Sequence, residues 1–248
     1  MTATAFRETI QMLETLKLKG IAATLDAETR EAETERTSYA GFIGRLLKAE
    51  VNWRAERKLR RNLAGAHFPV EKRLEDFEAA AVKGITRADL ANMGDFRWID
   101  NRENVLLFGP PGVGKTHLAI ALGMKAVSAG YTVCFERASS LFRLLSTMEI
   151  HRTARFRVSR LLKANLVVID EIGYTPIDRK EANHFFGLVS DLYEKTSIVL
   201  TSNKPFDAWA EMMGDDVMTT ALLDRLLHHA RIFTLDGDSF RTRSRKKT

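Results

Sequence analysis

The sequence predicts an α/β protein, a five-stranded parallel sheet with crossover helices, preceded by a small all-helical domain. Three observations predict it. From Asn104 onward, five short runs rich in β-branched and aromatic residues recur at 104–108, 131–135, 166–169, 197–201 and 231–235. Helical patterns separate them, as parallel strands require. A glycine-rich octapeptide, Gly109-Pro110-Pro111-Gly112-Val113-Gly114-Lys115-Thr116, lies between the first run and a helical stretch beginning at His117. Up to residue 66 the chain is rich in Leu, Ala, Glu, Lys and Arg, with no proline and no alternating apolar run. The expected boundary puts a helical domain at 1–66 and an α/β domain at 67–248.

Taken in order, Ser38 is a candidate N-cap for a helix through Leu63, with Phe42, Leu46, Val51 and Leu59 as its apolar positions. On it Arg54, Arg57, Lys58 and Arg61 fall at i, i+3, i+4 and i+7, one basic face. That face is either solvated or a contact for DNA or a partner. His67-Phe68-Pro69-Val70 ends the helical pattern and begins a linker. A second helix is expected from a capping Thr86 to about Trp98. Between the second and third strands Arg137, Arg143, Arg152, Arg155, Arg157, Arg160 and Lys163 face a single acid, Glu149. With only Phe142 and Phe156 as aromatics there, phosphate contacts suit the segment better than base stacking. A solvated face remains the alternative.

Composition narrows the class. Of 248 residues, 45% are apolar and 28% charged, the balance of a globular protein. The one cysteine, Cys134, excludes an internal disulfide and points to a reducing compartment. No stretch approaches the ~18 apolar residues of a membrane span. The expectation is a cytoplasmic protein with no membrane partner. The net charge of +6 is informative only through its distribution.

The octapeptide satisfies GxxxxGK[ST] at every fixed position, in a strand–loop–helix context. Its glycines let backbone N–H groups turn toward an anion, and the helix N-terminus adds favourable partial charge. Gly109, Pro110, Pro111, Gly112, Val113, Gly114, Lys115, Thr116 and His117 are therefore the candidate nucleotide-binding residues. Lys115 would meet the β- and γ-phosphates of ATP and the Thr116 hydroxyl would ligate Mg2+. Leu166-Val167-Val168-Ile169-Asp170-Glu171 is an apolar strand ending in two carboxylates, about 50 residues after that loop. Asp170 is placed to hold Mg2+, and Glu171 to polarise the attacking water. Thr201-Ser202-Asn203 ends another strand and either touches the γ-phosphate or makes a turn before Lys204-Pro205. Arg225 is either an arginine finger or an intrahelical ion-pair partner. His228 and His229, being adjacent, are expected on different sides of a helix and lack a third ligand at metal spacing. Asp236-Gly237-Asp238 reads as a turn.

These residues resemble the IstB/DnaC group of AAA+ ATPases, and the likeness to IstB-type transposition helper proteins is close. It rests on GPPGVGKTHLAIALG, on Asp170-Glu171-Ile172-Gly173-Tyr174, and on Thr201-Ser202-Asn203-Lys204-Pro205-Phe206 with Trp209. It extends to Leu223-Asp224-Arg225-Leu226-Leu227-His228-His229 and Gly237-Asp238-Ser239-Phe240-Arg241, with a weaker match at Leu16-Lys17-Leu18-Lys19-Gly20. The resemblance implies a P-loop NTPase (AAA+) core, with Asn203 as sensor 1 and Arg225 as a finger reaching a neighbouring subunit's nucleotide. Arg241 would be a sensor-2 arginine, but little chain follows the fifth strand, so a full C-terminal lid is not expected. It also implies an ATPase stimulated by DNA, an ATP-dependent homo-oligomer on double-stranded DNA, and a partner transposase. Relatives in replication load a hexameric helicase instead, and the basic segments do not separate the two. A P-loop kinase is disfavoured by the Asp170-Glu171 pair, which suits water as nucleophile, and a non-hydrolysing switch by the intact Glu171.

Overall fold

The computed structural model describes residues 3–173 and 177–240. The chain divides into two compact units, one ending at Arg61 and the other beginning at Asn62.

The first unit is helical: α1 (Ala3–Thr15), α2 (Lys19–Glu35) and α3 (Tyr39–Ala66), the last continuing past the division. Ser38 caps α3, its hydroxyl accepting the Gly41 N–H at 3.2 Å. The N-terminus of α2 has no cap of its own. Glu50 on α3 supplies one, its buried carboxylate accepting the N–H groups of Gly20 (2.6 Å) and Ile21 (3.2 Å). A carboxylate on these orphan donors also faces the positive end of the helix dipole. The contact requires Gly20, where a Cβ would stand 2.7 Å from the Glu50 Cα.

In the second unit a linker leads through a 3₁₀ turn at Ala79–Ala81 to α4 (Arg87–Gly94) and α5 (Arg97–Asp100). Thr86 closes a capping box with Asp89. The single helix expected from Thr86 to Trp98 is in fact two. Phe96 adopts a left-handed conformation (φ 60°), and the fully buried Trp98 donates its indole N–H back to Met93 O at 2.8 Å. Burying that ring with its N–H satisfied outweighs the break in the helix.

The remainder alternates strand and helix: β1 (Asn104–Phe108), α6 (Lys115–Ser128), β2 (Val133–Arg137), α7 (Ala138–Thr147), α8 (Arg152–Leu161), β3 (Leu166–Ile172), α9 (Arg179–Leu192), β4 (Ser197–Ser202), α10 (Trp209–Met213), α11 (Asp216–Leu227) and β5 (Ala230–Thr234). All pairings are parallel, in the order β2-β3-β4-β1-β5. The second strand begins at Val133, two residues later than its β-branched run: the Thr132 N–H and hydroxyl go to the Asn165 side chain, and only its carbonyl meets the neighbouring backbone.

Alternate strand residues feed two cores, which is why these strands are apolar without interruption. Val105, Leu107, Val168 and Val199 pack with α6 and the segment from Ala66 to Ile99. Leu106, Val167, Ile169 and Leu200 pack with α7, α8, α9 and α11 on the other face. Each buried aliphatic side chain contributes about 1.5–3 kcal/mol. The sheet is thereby a rigid floor, with the glycine loop and the carboxylate pair at the carboxyl ends of its strands.

After β5 the chain returns across the loop: Leu235 N–H donates to Phe108 O, and Phe240 N–H to Gly112 O. No helical lid follows β5 among the described residues. Among them, too, no helix is long and apolar enough to cross a membrane.

Candidate nucleotide-binding site

The glycine loop joins β1 to α6 with Gly109, Gly112 and Gly114 all at positive φ (139°, 88° and 103°). A Cβ on Gly109 would lie 2.0 Å from Leu235 O, so the returning chain admits only glycine there. The loop delivers Lys115 at the first turn of α6. Its ammonium is held by the loop's own carbonyls, Gly109 O at 2.6 Å and Pro110 O at 2.8 Å.

Across the crevice, Asp170 is fully buried. Its Oδ1 accepts the hydroxyls of Thr116 (2.9 Å) and Thr201 (2.6 Å), tying α6, β3 and β4 together at one atom. Its Oδ2 is buried without a hydrogen-bond partner, and so is Oδ1 of Asn203. An orphaned carboxylate oxygen beside a threonine hydroxyl is the hard-oxygen donor set that suits Mg2+. The residues present therefore fit the ion, with Thr116 and Asp170 to hold it.

Glu171 departs from strand geometry. The β3–β4 register slips between Ile169 and Ile172, and Glu171 takes φ 66°. Its N–H donates to Thr201 Oγ1 at 2.9 Å, so one hydroxyl holds both carboxylate-bearing residues. The bulge turns Glu171 into a cavity of about 410 Å³ that Lys115, Thr116, His117, Thr201, Ser202 and Asn203 also line. Strain of this kind costs about 1–3 kcal/mol and persists only where surrounding contacts impose it.

Several lining residues carried no signal in the sequence. Lys72, Asp76, Phe77 and Glu78 come from the linker, and the Phe77 ring packs edge-on to His117 with centroids 5.8 Å apart. A linker has no periodicity to mark such residues. The role of Thr201 was foreshadowed only by its place on a strand tip.

Other candidates are placed elsewhere. Arg225 lies on α11, its guanidinium 4.8 Å over the Phe186 ring and bonded to Ala221 O. It lines a small cavity with Tyr193, Glu194 and His229, apart from the glycine loop of its own chain. Arg241 and Tyr174 lie outside the described residues. On α8 the arginines divide by environment. Arg157 pairs with the buried Glu136, and Arg160 bonds Gly65 O and His67. Arg152 is exposed and the exposed Arg155 reaches Glu149 O at 3.1 Å. In the first unit Arg54 pairs with Glu50, Arg57 stacks 5.1 Å from the Trp53 ring centroid, and Lys58 is exposed. Burial pushes the Cys134 thiol up, so it stays protonated and unreactive.

One expectation is corrected. His228 and His229 do not diverge. The helix ends at Leu227, and in the turn that follows their rings lie 4.1 Å apart at 34°. Glu194 supplies the third potential ligand that the sequence did not reveal.

Residues 11–248 match the family model described as IstB-like ATP binding protein. The chain is 39% identical over 236 residues to an "Insertion sequence IS21 putative ATP-binding protein" of Pseudomonas aeruginosa, covering 95% of this chain and 89% of that one. It is 36% identical over 231 residues to an "Insertion sequence IS5376 putative ATP-binding protein" of Geobacillus stearothermophilus, covering 93% and 92%. Among solved structures, the DnaC helicase loader superposes with a TM-score of 0.53 at 17% identity, over 66% of this chain and 96% of that one. That likeness concerns the fold, an AAA+-type P-loop core. The match to the family model takes in the glycine loop, both carboxylates and nearly the full sequence, and on that basis the chain belongs to the IstB-like family of ATP-binding proteins.

Proposed function

We propose that this protein hydrolyses ATP with Mg2+, assembles with copies of itself on double-stranded DNA in an ATP-dependent manner, remodels that DNA, and assists the transposase of its insertion sequence. The hydrolytic part rests on one observation above the others. Glu171 is turned by a strained bulge into the cavity that holds Lys115, while Asp170 stays buried beside Thr116.

In this reading Lys115 exchanges its carbonyl partners for the β- and γ-phosphate oxygens, and the N-terminus of α6 receives the same charge. Thr116 and Asp170 would hold Mg2+, which would supply positive charge against that building between those phosphates. Glu171 orients the attacking water and draws off its proton, and Asn203 at the tip of β4 holds the water or the γ-phosphate. Arg225, which does not line the cavity at its own glycine loop, serves the nucleotide of an adjacent copy.

Support for DNA as partner comes from the exposed Arg152 and Arg155. Support for the transposition context comes from relatives named as insertion-sequence proteins. The fold likeness to a helicase loader motivates a second reading, in which the partner is a replicative helicase.

ATP turnover measured with and without duplex DNA is the direct test. Lys115→Ala should lose binding and hydrolysis together, and Glu171→Gln should keep binding while turnover falls ~10²-fold or more. Normal turnover in Glu171→Gln would remove the hydrolytic assignment. Co-purification with a helicase and not with the transposase would favour the loader reading.

A further inference from the structure

At the end of the sheet away from the glycine loop, α9 and α11 both terminate close to the start of β5. The chain leaving α9 places Tyr193 and Glu194 beside the turn that carries His228 and His229 from α11 into β5. One ligand atom from each of Glu194, His228 and His229 lies within 4.8 Å of the other two, and all three side chains are exposed. The turn is fixed from below, because His229 O accepts the Asn104 N–H at 2.6 Å and the Asn104 side chain bonds Leu226 O at 2.9 Å. No step of the nucleotide reading uses these residues.

We propose that Glu194, His228 and His229 form a binding site for a late first-row divalent cation of the Zn2+ kind. Ligands about 2.1 Å from an ion and tetrahedrally disposed stand about 3.4 Å apart. The His228 Nδ1–Glu194 Oε1 separation is already 3.8 Å. Rotations of exposed side chains close the remainder without moving the backbone. Two imidazoles and one carboxylate, with a fourth position for water, is a Zn2+ donor set. It is a poor one for Mg2+ or Ca2+, which require several oxygens. With a single carboxylate in the set, the bonds to imidazole nitrogen must carry the affinity. Nδ1 of His228 is the nitrogen that faces Glu194, and the ion takes it in place of the Tyr193 hydroxyl that stands 2.6 Å away. A bound ion would pin the end of α9 to the end of α11, the helix that carries Arg225.

The test uses the untagged, chelator-treated full chain in saturating Mg2+, so that Thr116 and Asp170 do not compete. Zn2+ is titrated by calorimetry, and Co2+ by its visible absorption. About one Zn2+ per chain, a tetrahedral Co2+ spectrum and a higher melting temperature with Zn2+ are expected. His228→Ala, His229→Ala and Glu194→Gln should each weaken binding at least about tenfold while leaving the metal-free melting temperature unchanged. Absence of Zn2+ binding, or binding unchanged in the three variants, overturns the proposal. So does loss in the histidine variants with Glu194→Gln unaffected, which would reduce the site to a chelate of two neighbouring histidines.

Discussion

Thr201 offers the most direct way to separate the shape of the candidate nucleotide site from its chemistry. Its side chain is 1% exposed, and its hydroxyl donates to Asp170 Oδ1 (2.6 Å) while accepting the Glu171 N–H (2.9 Å). Thr201→Val keeps the volume and removes both bonds. A hydrogen bond to a charged carboxylate is worth about 1.5–3 kcal/mol and a neutral one about 1 kcal/mol. The combined cost is therefore about 3 kcal/mol, which lowers the melting temperature of a unit this size by about 6–12 °C. That energy matches the ~1–3 kcal/mol needed to hold a left-handed non-glycine residue. Without the Thr201 acceptor the bulge can relax, and the Glu171 carboxylate loses its position. Turnover should then fall ~10²-fold, while ATP affinity changes only a few-fold because the glycine loop and Lys115 are untouched. Thr201→Ser, which restores a hydroxyl, should recover most of both losses. Single-turnover hydrolysis with fluorescent-nucleotide binding and a thermal melt reads all three quantities. A Thr201→Val protein that melts and turns over like the parent would refute the idea that this hydroxyl shapes the site.

Four further outcomes are expected. Burial raises the Glu50 carboxyl, but the Arg54 hydrogen bond and the N–H groups of Ile21 and Gly20 outweigh it and hold the group below its usual range. Its contribution to stability is therefore present above the unfolded value of about 4.3 and lost as pH falls through the lower folded value. Glu50→Gln should accordingly destabilise the helical unit at pH 7, with the difference closing as pH falls below the usual carboxylate range in circular-dichroism melts. Replacing Arg152 and Arg155 together by Ala should flatten the slope of log affinity against log salt by about 1.8 on unrelated duplexes, with little change in stability. Arg157→Ala, by contrast, strands the buried Glu136 and should cost about 1–3 kcal/mol in denaturant unfolding. Arg225→Ala should bind ATP but not hydrolyse it, and mixing it with Lys115→Ala should restore part of the turnover, since some interfaces then pair an intact loop with an intact finger. Absence of recovery despite co-assembly would leave Arg225 as a packing residue over Phe186.

The glycine loop and the carboxylate strand were legible because each is a contiguous segment whose chemistry depends on local backbone geometry. GxxxxGK[ST] is itself a set of conformational demands, and both of its glycines, Gly109 and Gly114, take the positive φ those demands imply, as does Gly112 between them. The strands were legible because burial on both faces of a parallel sheet leaves uninterrupted apolar runs. Boundaries failed where a side chain from elsewhere intervened. Trp98 bonding Met93 O splits a helix that periodicity alone would continue, and the Asn165 side chain takes the Thr132 N–H just before β2. Of the basic residues, the sequence displayed the charge but not its use. Arg157 and Arg160 are committed to Glu136 and Gly65, partners 21 and 95 residues away.

By itself, then, the sequence determined what is local: the nucleotide loop, the order of strands and helices, and which residues bear the reactive groups. Only the tertiary structure decided what those groups meet. Asp170, Thr116 and Thr201 converge on one oxygen because three separate elements end at the same edge of the sheet. Glu171 faces the cavity because the β3–β4 register slips there, and the linker residues around Phe77 line it because the chain before β1 folds back over α6. His228 and His229 meet Glu194 because α11 ends one residue before them. Each of these depends on hydrogen bonds and packing between segments distant in sequence, and a pattern of spacing along one chain does not encode them.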